Sequence, residues 1–345
     1  MPGRAPSTQP SLATSSTAFL HTVSMPARAF DADLATIDAV THLPAAEALP
    51  AVRKALNHHN NLIVSKAAKH AVRLDLRTLT PELAEAFARF MPPADAAKTD
   101  PQCWAKNELS RALATFEYQD AALFLSGLRH HQLEATWGGT TDTAGALRGT
   151  CALALVQCRD LASPILLRHL TPLFDDLDLP VRLNCARAVE QVGSDAAALL
   201  LRLRAELGPT GRDSEDPDVL AACIGGVLRL DGDSALPWVA AFLTRGDDLS
   251  SEAAFVLAEH RTPESVALLQ KAFHAAGVSR FDTHDLRATL LAAIASTRLP
   301  EANAWLLALI SKESLYAKQA AKALCNANPS AELAAQLRAL GHPCV

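Results

Sequence analysis

Two segments of this chain bring together aromatic, hydroxyl and charged side chains that could bind a ligand or a partner. The first is KTDPQCWAKNELSR, residues 98–111, and the second is HHQLEATWGGTTDTAGALRG, residues 130–149. Tryptophan beside amide, ammonium and carboxylate groups is typical of binding hot spots and of aromatic, polar pockets. The alternative is that both tryptophans only pack against neighbouring helices. The residues that we predict at a partner-binding site are Trp104, Lys106, Asn107, Trp137, Thr140 and Asp142.

The glycine-rich part of the second segment also has some features of a phosphate-binding loop. Gly138 and Gly139 allow a tight turn, and the hydroxyls of Thr140 and Thr141 can cap the following helix, whose N–H groups attract anions. The lysine of a P-loop and the strand that precedes it are missing from this sequence. The pattern is therefore a weak indication of phosphate binding.

The histidines do not form a recognisable metal or catalytic motif. Two doublets, His58-His59 and His130-His131, lie where first helices are predicted to end. A protonated histidine is favourable at a helix C-terminus, so we expect no metal and no other cofactor, with metal binding as the alternative. Helical spacing places no serine or cysteine together with a histidine, and we predict no catalytic residues.

The seven cysteines are an odd number, and none occurs in a C-x-x-C pair. Cys151, Cys185 and Cys223 fall at small-residue positions in the middle of predicted helices, where a thiol packs as a compact apolar group. This usage favours a reducing compartment, and we expect a cytoplasmic location. We expect neither a disulfide nor a metal at the three cysteines nearer element ends, Cys103, Cys325 and Cys344.

A repeated helical hairpin must position all of these residues. GALRGTCALALVQC aligns with LPVRLNCARAVEQV in the next hairpin, with Arg148 equivalent to Arg182 and Cys151 equivalent to Cys185. Self-similarity at this scale indicates a stacked solenoid, in which each hairpin buries its apolar side against its neighbours. The equivalent apolar positions of the eight second helices are Val72, Leu113, Leu155, Val189, Val227, Leu257, Ile294 and Leu324.

The composition is that of an all-α chain. Hydrophobic residues make up 49% of the 345 residues, aromatic residues only 5%, and glycine occurs 15 times. An alanine- and leucine-rich composition of this kind favours helices. We predict one elongated domain over residues 30–345. Residues 1–29 are predicted to be disordered because they lack acidic residues and helical periodicity, and translation could start at either Met1 or Met25.

These features resemble the HEAT repeat, and in particular the short bacterial HEAT-like repeats related to phycobilisome lyases. The resemblance covers residues 44–328 and is strongest in PILLRHLTPLFDDLDLPVRLNCARAVEQVG. It implies a right-handed α-α superhelix of about eight helical hairpins. First helices would form the convex side, and second helices would line the concave side.

The resemblance also implies a ladder of charged residues between neighbouring repeats. In the family, an aspartate before the second helix and an arginine at its start form this ladder. A carboxylate in this place can cap a helix and bind a guanidinium at the same time. The similar residues in this chain are Asp142 with Arg148, Asp178 with Arg182, and Asp282 with Arg287.

Because fold does not determine activity, the architecture alone does not identify the function. We predict a non-catalytic scaffold that binds another protein through the concave face of its N-terminal half. The alternative is a lyase-like or metal-dependent hydroxylase-like enzyme. The His-Glu dipeptides that hold two irons in HEAT-fold deoxyhypusine hydroxylases do not occur in this sequence, and no lyase motif can be placed on it.

A nucleic-acid-binding module is a third hypothesis, and the overall charge argues against it. The net charge of -5 gives no field that would attract nucleic acid or an anionic membrane. No apolar run in the sequence is long enough for a membrane span. Nucleic acid and membrane are therefore not expected as partners. The basic residues that could still form a local patch are Lys54, Lys66, Lys69, Arg73, Lys106 and Arg111.

Overall fold

The fold is almost entirely helical, as the composition predicts. The structure is a computed structural model that describes residues 26–92, 96–208, 215–245, 247–276, 283–312 and 315–344. None of the helices in these ranges is long and apolar enough to pass through a membrane. The all-α prediction is confirmed with one exception, a two-stranded antiparallel sheet inserted into the third hairpin.

Eight helical hairpins follow one another along the described chain, and their number and order agree with the sequence prediction. Each hairpin consists of a first helix, a loop and a second helix. The first helices are α2 (Ala45–Leu56), α4 (Thr80–Phe90), α7 (Ala121–Leu128), α9 (Ser163–Leu170), α11 (Asp195–Leu207), α13 (Leu236–Phe242), α15 (Pro263–Ala275) and α17 (Pro300–Ser311). The second helices are α3 (Asn61–Arg73), α6 (Trp104–Thr115), α8 (Gly145–Gln157), α10 (Leu179–Val192), α12 (Pro217–Asp231), α14 (Asp248–His260), α16 (Thr283–Ser296) and α18 (Ala317–Asn326).

Three further helices lie outside this pairing. Helix α1 (Pro26–Ala39) packs on α2 and α3, α5 (Ala96–Thr99) is a short turn of helix before α6, and α19 (Ala331–Ala339) ends the chain. Helix α1 begins four residues before the predicted start of the domain at residue 30. The rest of the segment predicted to be disordered, residues 1–25, lies outside the described residues.

Side-chain caps and prolines determine where many helices begin. Ser194, Asp216 and Thr262 each accept a hydrogen bond from a backbone N–H in the first turn of the following helix. This satisfies a donor that has no partner within the helix. Pro217 and Pro263 then occupy the first helical position, where a missing N–H costs nothing. These caps and prolines are local signals, so such helix starts are marked in the sequence itself.

The second helices pack against one another in chain order from α3 to α18, whereas successive first helices contact each other more sparsely. Small residues allow the close approach. A Cβ atom added to Gly149 on α8 would lie 2.5 Å from Nδ2 of Asn184 on α10. Because a stack bends toward its more closely packed layer, this packing favours the second helices for the concave side. Their placement there remains a prediction.

A β-hairpin interrupts the loop between α7 and α8. Strand β1 (Leu133–Thr136) pairs antiparallel with strand β2 (Gly139–Asp142), so that Thr136 lies opposite Gly139. Trp137 and Gly138 form the turn, and Gly138 has a φ of 99°, which suits glycine. The sequence predicted only a flexible turn here, because four-residue strands are too short to give a clear alternation of polar and apolar residues.

Cys325 and Cys344 form a disulfide, contrary to the expectation from the sequence. The two residues are 19 positions apart, and their Cα atoms lie 5.3 Å from each other. The bond joins the end of α18 to the chain that follows α19. The prediction was wrong because it relied on the local surroundings of each cysteine, whereas the fold of α19 brings the two together. Disulfides are rare in the cytosol, so this bond does not support the expected cytoplasmic location.

We expect reduction of the Cys325–Cys344 disulfide to loosen α19 without disturbing the middle of the stack. Leu337 is the buried residue of α19, so packing alone holds this helix weakly. A bond that closes a loop of this size stabilises by about 3 kcal/mol. Amide hydrogen exchange at residues 331–339 should quicken at least about tenfold in Cys344→Ser, and exchange in α8 and α10 should not change. Equal protection of α19 with and without the bond would contradict this expectation.

Candidate functional site

Buried charged residues form a row along one edge of the stack, where the loops lead into the second helices. Asp100, Lys106 and Arg148 are almost completely shielded from water. A charge in such a place is tolerated only when it is paired and hydrogen-bonded. We call this row the ladder, and its members are Asp100, Lys106, Asp142, Arg148, Asp176, Arg182 and Glu215.

In the second hairpin the ladder consists of a fully buried ion pair. Nζ of Lys106 lies 3.1 Å from Oδ2 of Asp100 and donates a hydrogen bond to the carbonyl of Phe90 at 3.3 Å. Asp100 also caps α6, because its two oxygens accept from the N–H groups of Ala105 and Lys106 at 2.9 and 3.0 Å. From the preceding hairpin, Nδ2 of Asn61 donates to Asp100 at 3.0 Å. The pair therefore joins the first two hairpins.

The loop that carries Asp100 has an unusual backbone conformation. Gln102 and Cys103 are adjacent non-glycine residues with φ values of 58° and 54°. Such left-handed conformations cost on the order of 1–3 kcal/mol and persist only where the surroundings enforce them. Here the enforcing contacts are the cap from Asp100 and a hydrogen bond of 2.6 Å from the N–H of Gln102 to Glu134.

Arg148 connects the third and fourth hairpins. Its Nε and Nη2 atoms donate to the two carboxylate oxygens of Asp176 at 2.7 and 3.0 Å. Its Nη1 atom donates to Asp142 at 2.8 Å and to the carbonyl of His130 at 3.0 Å. Burial alone would lower the pKa of Arg148, but the hydrogen bonds and charges of Asp176 and Asp142 raise it above its usual value. The predicted pair of Asp142 with Arg148 is present.

The predicted pair of Asp178 with Arg182 is wrong. Nη1 of Arg182 donates to the backbone carbonyl of Asp176 at 2.6 Å, and its Nε donates to Glu215 of the fifth hairpin at 3.0 Å. Glu215 also pairs with Arg204. The ladder therefore passes through Asp176 rather than Asp178 and continues to the fifth hairpin.

Asp178 and the third predicted pair have other surroundings. The carboxylate of Asp178 lies against the start of α8, so closely that a Cβ atom on Gly145 would be 1.7 Å from its Oδ2. Asp282 lies outside the described residues. The guanidinium of Arg287 stacks over the ring of Tyr316, 4.8 Å from the centroid. This cation–π contact is a favourable environment for an arginine.

Sequence reasoning missed three members of the ladder that a regular interval would have identified, Asp100, Lys106 and Asp176. The prediction took Asp178, only four positions before Arg182, although its own pair of Asp142 and Arg148 is six positions apart. Applying the interval of six to the neighbouring hairpins selects Asp176 and also reveals Lys106 as the cation of the second hairpin. The pairs at this interval are Asp100 and Lys106, Asp142 and Arg148, and Asp176 and Arg182.

The β-hairpin is anchored to the ladder through Glu134. Its Oε1 atom accepts hydrogen bonds from the side chains of Gln132 and Thr143, both at 2.7 Å, and from the N–H of Gln102. Burial opposes ionisation of Glu134, but these donors outweigh it and lower its pKa. Gln132 also donates to the carbonyl of Asp100 at 2.8 Å. These bonds fix the base of the β-hairpin against the second helical hairpin of the stack.

Two large apolar side chains in this part of the structure project into solvent. The exposed fraction is 107% for Trp137 at the tip of the β-hairpin and 99% for Leu177 in the loop before α10. An open groove of about 520 Å³ lies between β2 and this loop. We call it the hairpin groove, and it is lined by His131, Thr140, Thr141, Asp142, Arg148, Asp175, Asp176, Leu177 and Asp178.

The two tryptophans of the predicted partner site do not meet. Trp104 at the start of α6 is 45% exposed and makes no ring contact with Trp137 in the described part of the chain. Thr140 is exposed on β2, close to Trp137. The predicted aromatic pocket is therefore absent from these residues. Trp137 and Thr140 instead belong to the surface of the β-hairpin.

Two of the residues predicted for a partner surface belong to the ladder instead. Lys106 has no exposed surface, because its ammonium group is paired with Asp100 inside the stack. Asp142 is half-buried against Arg148. Asn107 is half-buried on α6, and its Oδ1 atom is shielded from water without a hydrogen-bond donor. The structure thus corrects the assignment of Lys106, whose lysine side chain was taken to be exposed.

The histidine doublets are used in local contacts. His130 is buried and lies 3.3 Å from the amide oxygen of Gln132, and burial lowers its pKa. Nδ1 of His131 lies 2.8 Å from Asp142. Nδ1 of His58 accepts the N–H of Asn60 at 2.9 Å. Within the described residues, no group of three or more histidine, cysteine, aspartate or glutamate side chains is arranged to hold a metal ion.

The free thiols are buried packing groups, as predicted for the mid-helix cysteines. Burial raises the pKa of Cys103 to about 11 and that of Cys223 to about 12. Burial also raises the pKa of Cys151 and Cys185. A thiol with such a pKa is protonated at pH 7, and the thiolate is the reactive form. These cysteines are therefore poor nucleophiles.

The basic residues of the first two hairpins are largely matched with carboxylates. Lys66 lies 2.6 Å from Asp38, while Lys69 and Arg111 lie 3.7 and 2.7 Å from Glu108. Lys106 is buried in the ladder. A nucleic-acid surface needs cations that are free to replace counterions on phosphates. The pairing of these cations leaves little of the basic patch that the sequence suggested.

A second depression lies on the surface of the second helices. It spans α10, α12 and α14, encloses about 310 Å³, and has Arg187 and the partly exposed Phe255 on its walls. Burial and the charge of Asp218 raise the pKa of Glu252 in the same wall. The depression belongs to hairpins four to six, whereas the sequence analysis placed the binding surface in the N-terminal half.

Comparison with known proteins finds a weak structural likeness. No protein-family model and no curated protein matches the chain. Among solved structures it is similar to the complex of CpcE and CpcF of phycocyanin lyase from Nostoc sp. PCC7120, at 16% sequence identity and a TM-score of 0.36. The match covers 75% of this chain and 93% of that chain. This likeness is weak, and it gives none of the residues of the chain a role.

We expect Arg148→Ala to lower the free energy of unfolding by about 3–5 kcal/mol, because it leaves Asp142 and Asp176 without their buried partner. The matched control is Arg53→Ala, which removes an exposed pair with Glu82 and should cost less than about 1 kcal/mol. Urea unfolding followed by circular dichroism measures both. A loss for Arg148→Ala no larger than that of the control would contradict a structural role for the ladder.

Stability should also fall in acid because of the ladder. Partial burial opposes ionisation of Asp142, but donors from Gln132, Ala144 and His131 and the charge of Arg148 together lower its pKa. A carboxylate with a lowered folded-state pKa contributes stability above its unfolded pKa of about 4, and this contribution is lost as pH falls below that value. Asp142→Asn should therefore be less stable than the wild type at pH 7, and the gap should narrow toward pH 3. Melting temperatures across this range test it, and a gap independent of pH would contradict it.

Proposed function

We propose that this chain is a non-catalytic scaffold that binds another protein at the edge of its stack, with Trp137 as the central contact. The observation that carries the proposal is the complete exposure of Trp137 at the tip of the β-hairpin, whose strand β2 lines the same groove as the exposed Leu177. Tryptophan dominates the energetics of many protein interfaces because it buries a large, rigid surface on binding. A tryptophan left entirely in water gains that stabilisation when a partner covers it.

The rigidity of the β-hairpin supports the same proposal. Glu134 at its base accepts three hydrogen bonds, and Asp142 at its end is held by Arg148. A contact residue on a fixed element loses less conformational entropy on binding than one on a free loop. The hairpin therefore presents Trp137 in a defined position.

The state of the reactive side chains supports the non-catalytic part of the proposal. Cys103 and Cys223 are protonated at neutral pH, and His130 and His131 are engaged by Gln132 and Asp142. We propose that the partner is another protein and that no cofactor or metal takes part. The concave face is a further contact surface, secondary to Trp137.

We expect a photo-crosslinking amino acid at position 137 to capture a protein partner covalently. The full-length chain carrying p-benzoylphenylalanine in place of Trp137 is irradiated in extract of the cells that produce it, and adducts are identified by mass spectrometry. The control carries the same amino acid at Leu199, which is also exposed but lies on α11, away from the β-hairpin.

The proposal requires an adduct at position 137 that is absent at position 199. In affinity capture without a crosslinker, Trp137→Ala should reduce recovery of that same protein by at least about tenfold, since loss of a hot-spot tryptophan costs about 2 kcal/mol or more. If both positions gave the same adducts in equal yield, the contacts would be non-specific. That result, or the absence of any adduct at position 137, would overturn the proposal.

A further inference from the structure

The hairpin groove has a strand edge along one side. The hydrogen bond from the N–H of Thr143 to the carbonyl of Gln132 sets the register at the base of the β-hairpin. Bonded pairs alternate along an antiparallel ladder, so Glu134 and Thr141 form the next bonded pair. The backbone N–H and carbonyl of Thr140 consequently point away from β1. Residues of β2 line the groove, so this outer edge faces it.

The opposite side of the groove provides charge and apolar surface. It is the loop of residues 175–178, in which Leu177 is fully exposed and Asp175 and Asp178 add carboxylates. Over the whole lining, four aspartates stand against one arginine, and that arginine is already bound to Asp142 and Asp176. The carboxylates of the lining outnumber its guanidinium, so the groove is acidic. The hydrogen bonds that lower the pKa of Asp142 keep this carboxylate charged at neutral pH.

We infer that the hairpin groove binds an extended, basic segment of a protein partner by strand addition to β2. A backbone paired with Thr140 would satisfy the open edge of the strand, as in other complexes formed by strand addition. Alternate side chains of an added strand point to opposite sides. Lysine or arginine at one set of positions would meet Asp175 and Asp178, and apolar residues at the other set would meet Leu177 and Trp137.

The charge of the groove selects among possible occupants. A nucleic acid or an acidic peptide would place negative charge against four carboxylates, and like charges in contact are repelled. An α-helix cannot supply hydrogen bonds to the strand edge, because its own backbone groups are bonded internally. The extended basic segment is the occupant that satisfies both the charge and the backbone. This inference rests on the proposed protein-binding function and specifies the chemistry of the partner.

The test uses three fluorescein-labelled octapeptides and the full chain in fluorescence anisotropy. The first alternates lysine and valine, the second has glutamate in place of lysine, and the third is the lysine peptide with N-methyl groups on alternate residues of one edge. We expect the lysine peptide to bind at least about tenfold more tightly than either of the others. Equal binding of the glutamate peptide, equal binding of the methylated peptide, or no binding of the lysine peptide at millimolar concentration would each overturn the inference.

A matched pair of variants locates the binding. Asp175→Lys reverses an exposed charge in the groove and should weaken binding of the lysine peptide about tenfold. Asp160→Lys reverses an exposed charge after the other end of α8 and should leave the affinity unchanged. Equal effects of the two substitutions would show a response to net charge alone and would overturn the assignment to the groove.

The outcomes separate this inference from the proposed function. An adduct at position 137 without preference for the lysine peptide would leave the scaffold proposal standing and overturn strand addition. Selective binding of the lysine peptide without an adduct at position 137 would support the groove as a peptide site and overturn Trp137 as the anchor of a partner.

Discussion

The centre of the stack depends on one interaction. The guanidinium of Arg148 is buried between carboxylates of two successive hairpins. Arg148 is 2% exposed, yet it carries a full charge and binds Asp142 on its own hairpin and Asp176 on the next. A buried charge that lost either partner would cost several kcal/mol. The separation of the third and fourth hairpins is therefore fixed by hydrogen-bond lengths as well as by apolar packing, which by itself is not directional.

Neighbouring hairpins meet the same requirement with different residues. The second hairpin uses the shorter Lys106 with Asp100, and Gln132 from the third hairpin bonds the Asp100 carbonyl instead of supplying a second carboxylate. The fifth hairpin has Leu220 where a ladder cation would stand, and Arg204 on its first helix reaches Glu215 instead. What is maintained at these junctions is that each buried charge has a partner of opposite charge, and several side chains can provide it.

Some features of the structure follow from local sequence signals and others from contacts between distant residues, and only the first kind could be predicted from the sequence. Hairpin order and the pairing of Arg148 with Asp142 follow from local signals and were predicted. The position of Asp176 was recoverable from its interval of six to Arg182, whereas the choice between a buried and an exposed Lys106 depends on the neighbouring hairpin. The Cys325–Cys344 disulfide and the short β-hairpin depend on contacts that form only in the folded chain, so no local pattern indicated them.

The ladder also accounts for the acidity of the adjoining surface. The cations of this edge, Lys106, Arg148 and Arg182, have their charged groups bound within the ladder, so they do not offset charges displayed outside. The loop before α10 adds further aspartates to the lining of the hairpin groove. Negative charge is therefore concentrated in this groove, whereas the net charge of -5 is that of the whole chain. Because the cations are paired inside the stack, the surface of the groove favours positively charged groups. Because the same residues anchor the β-hairpin, that preference lies directly beside the exposed Trp137.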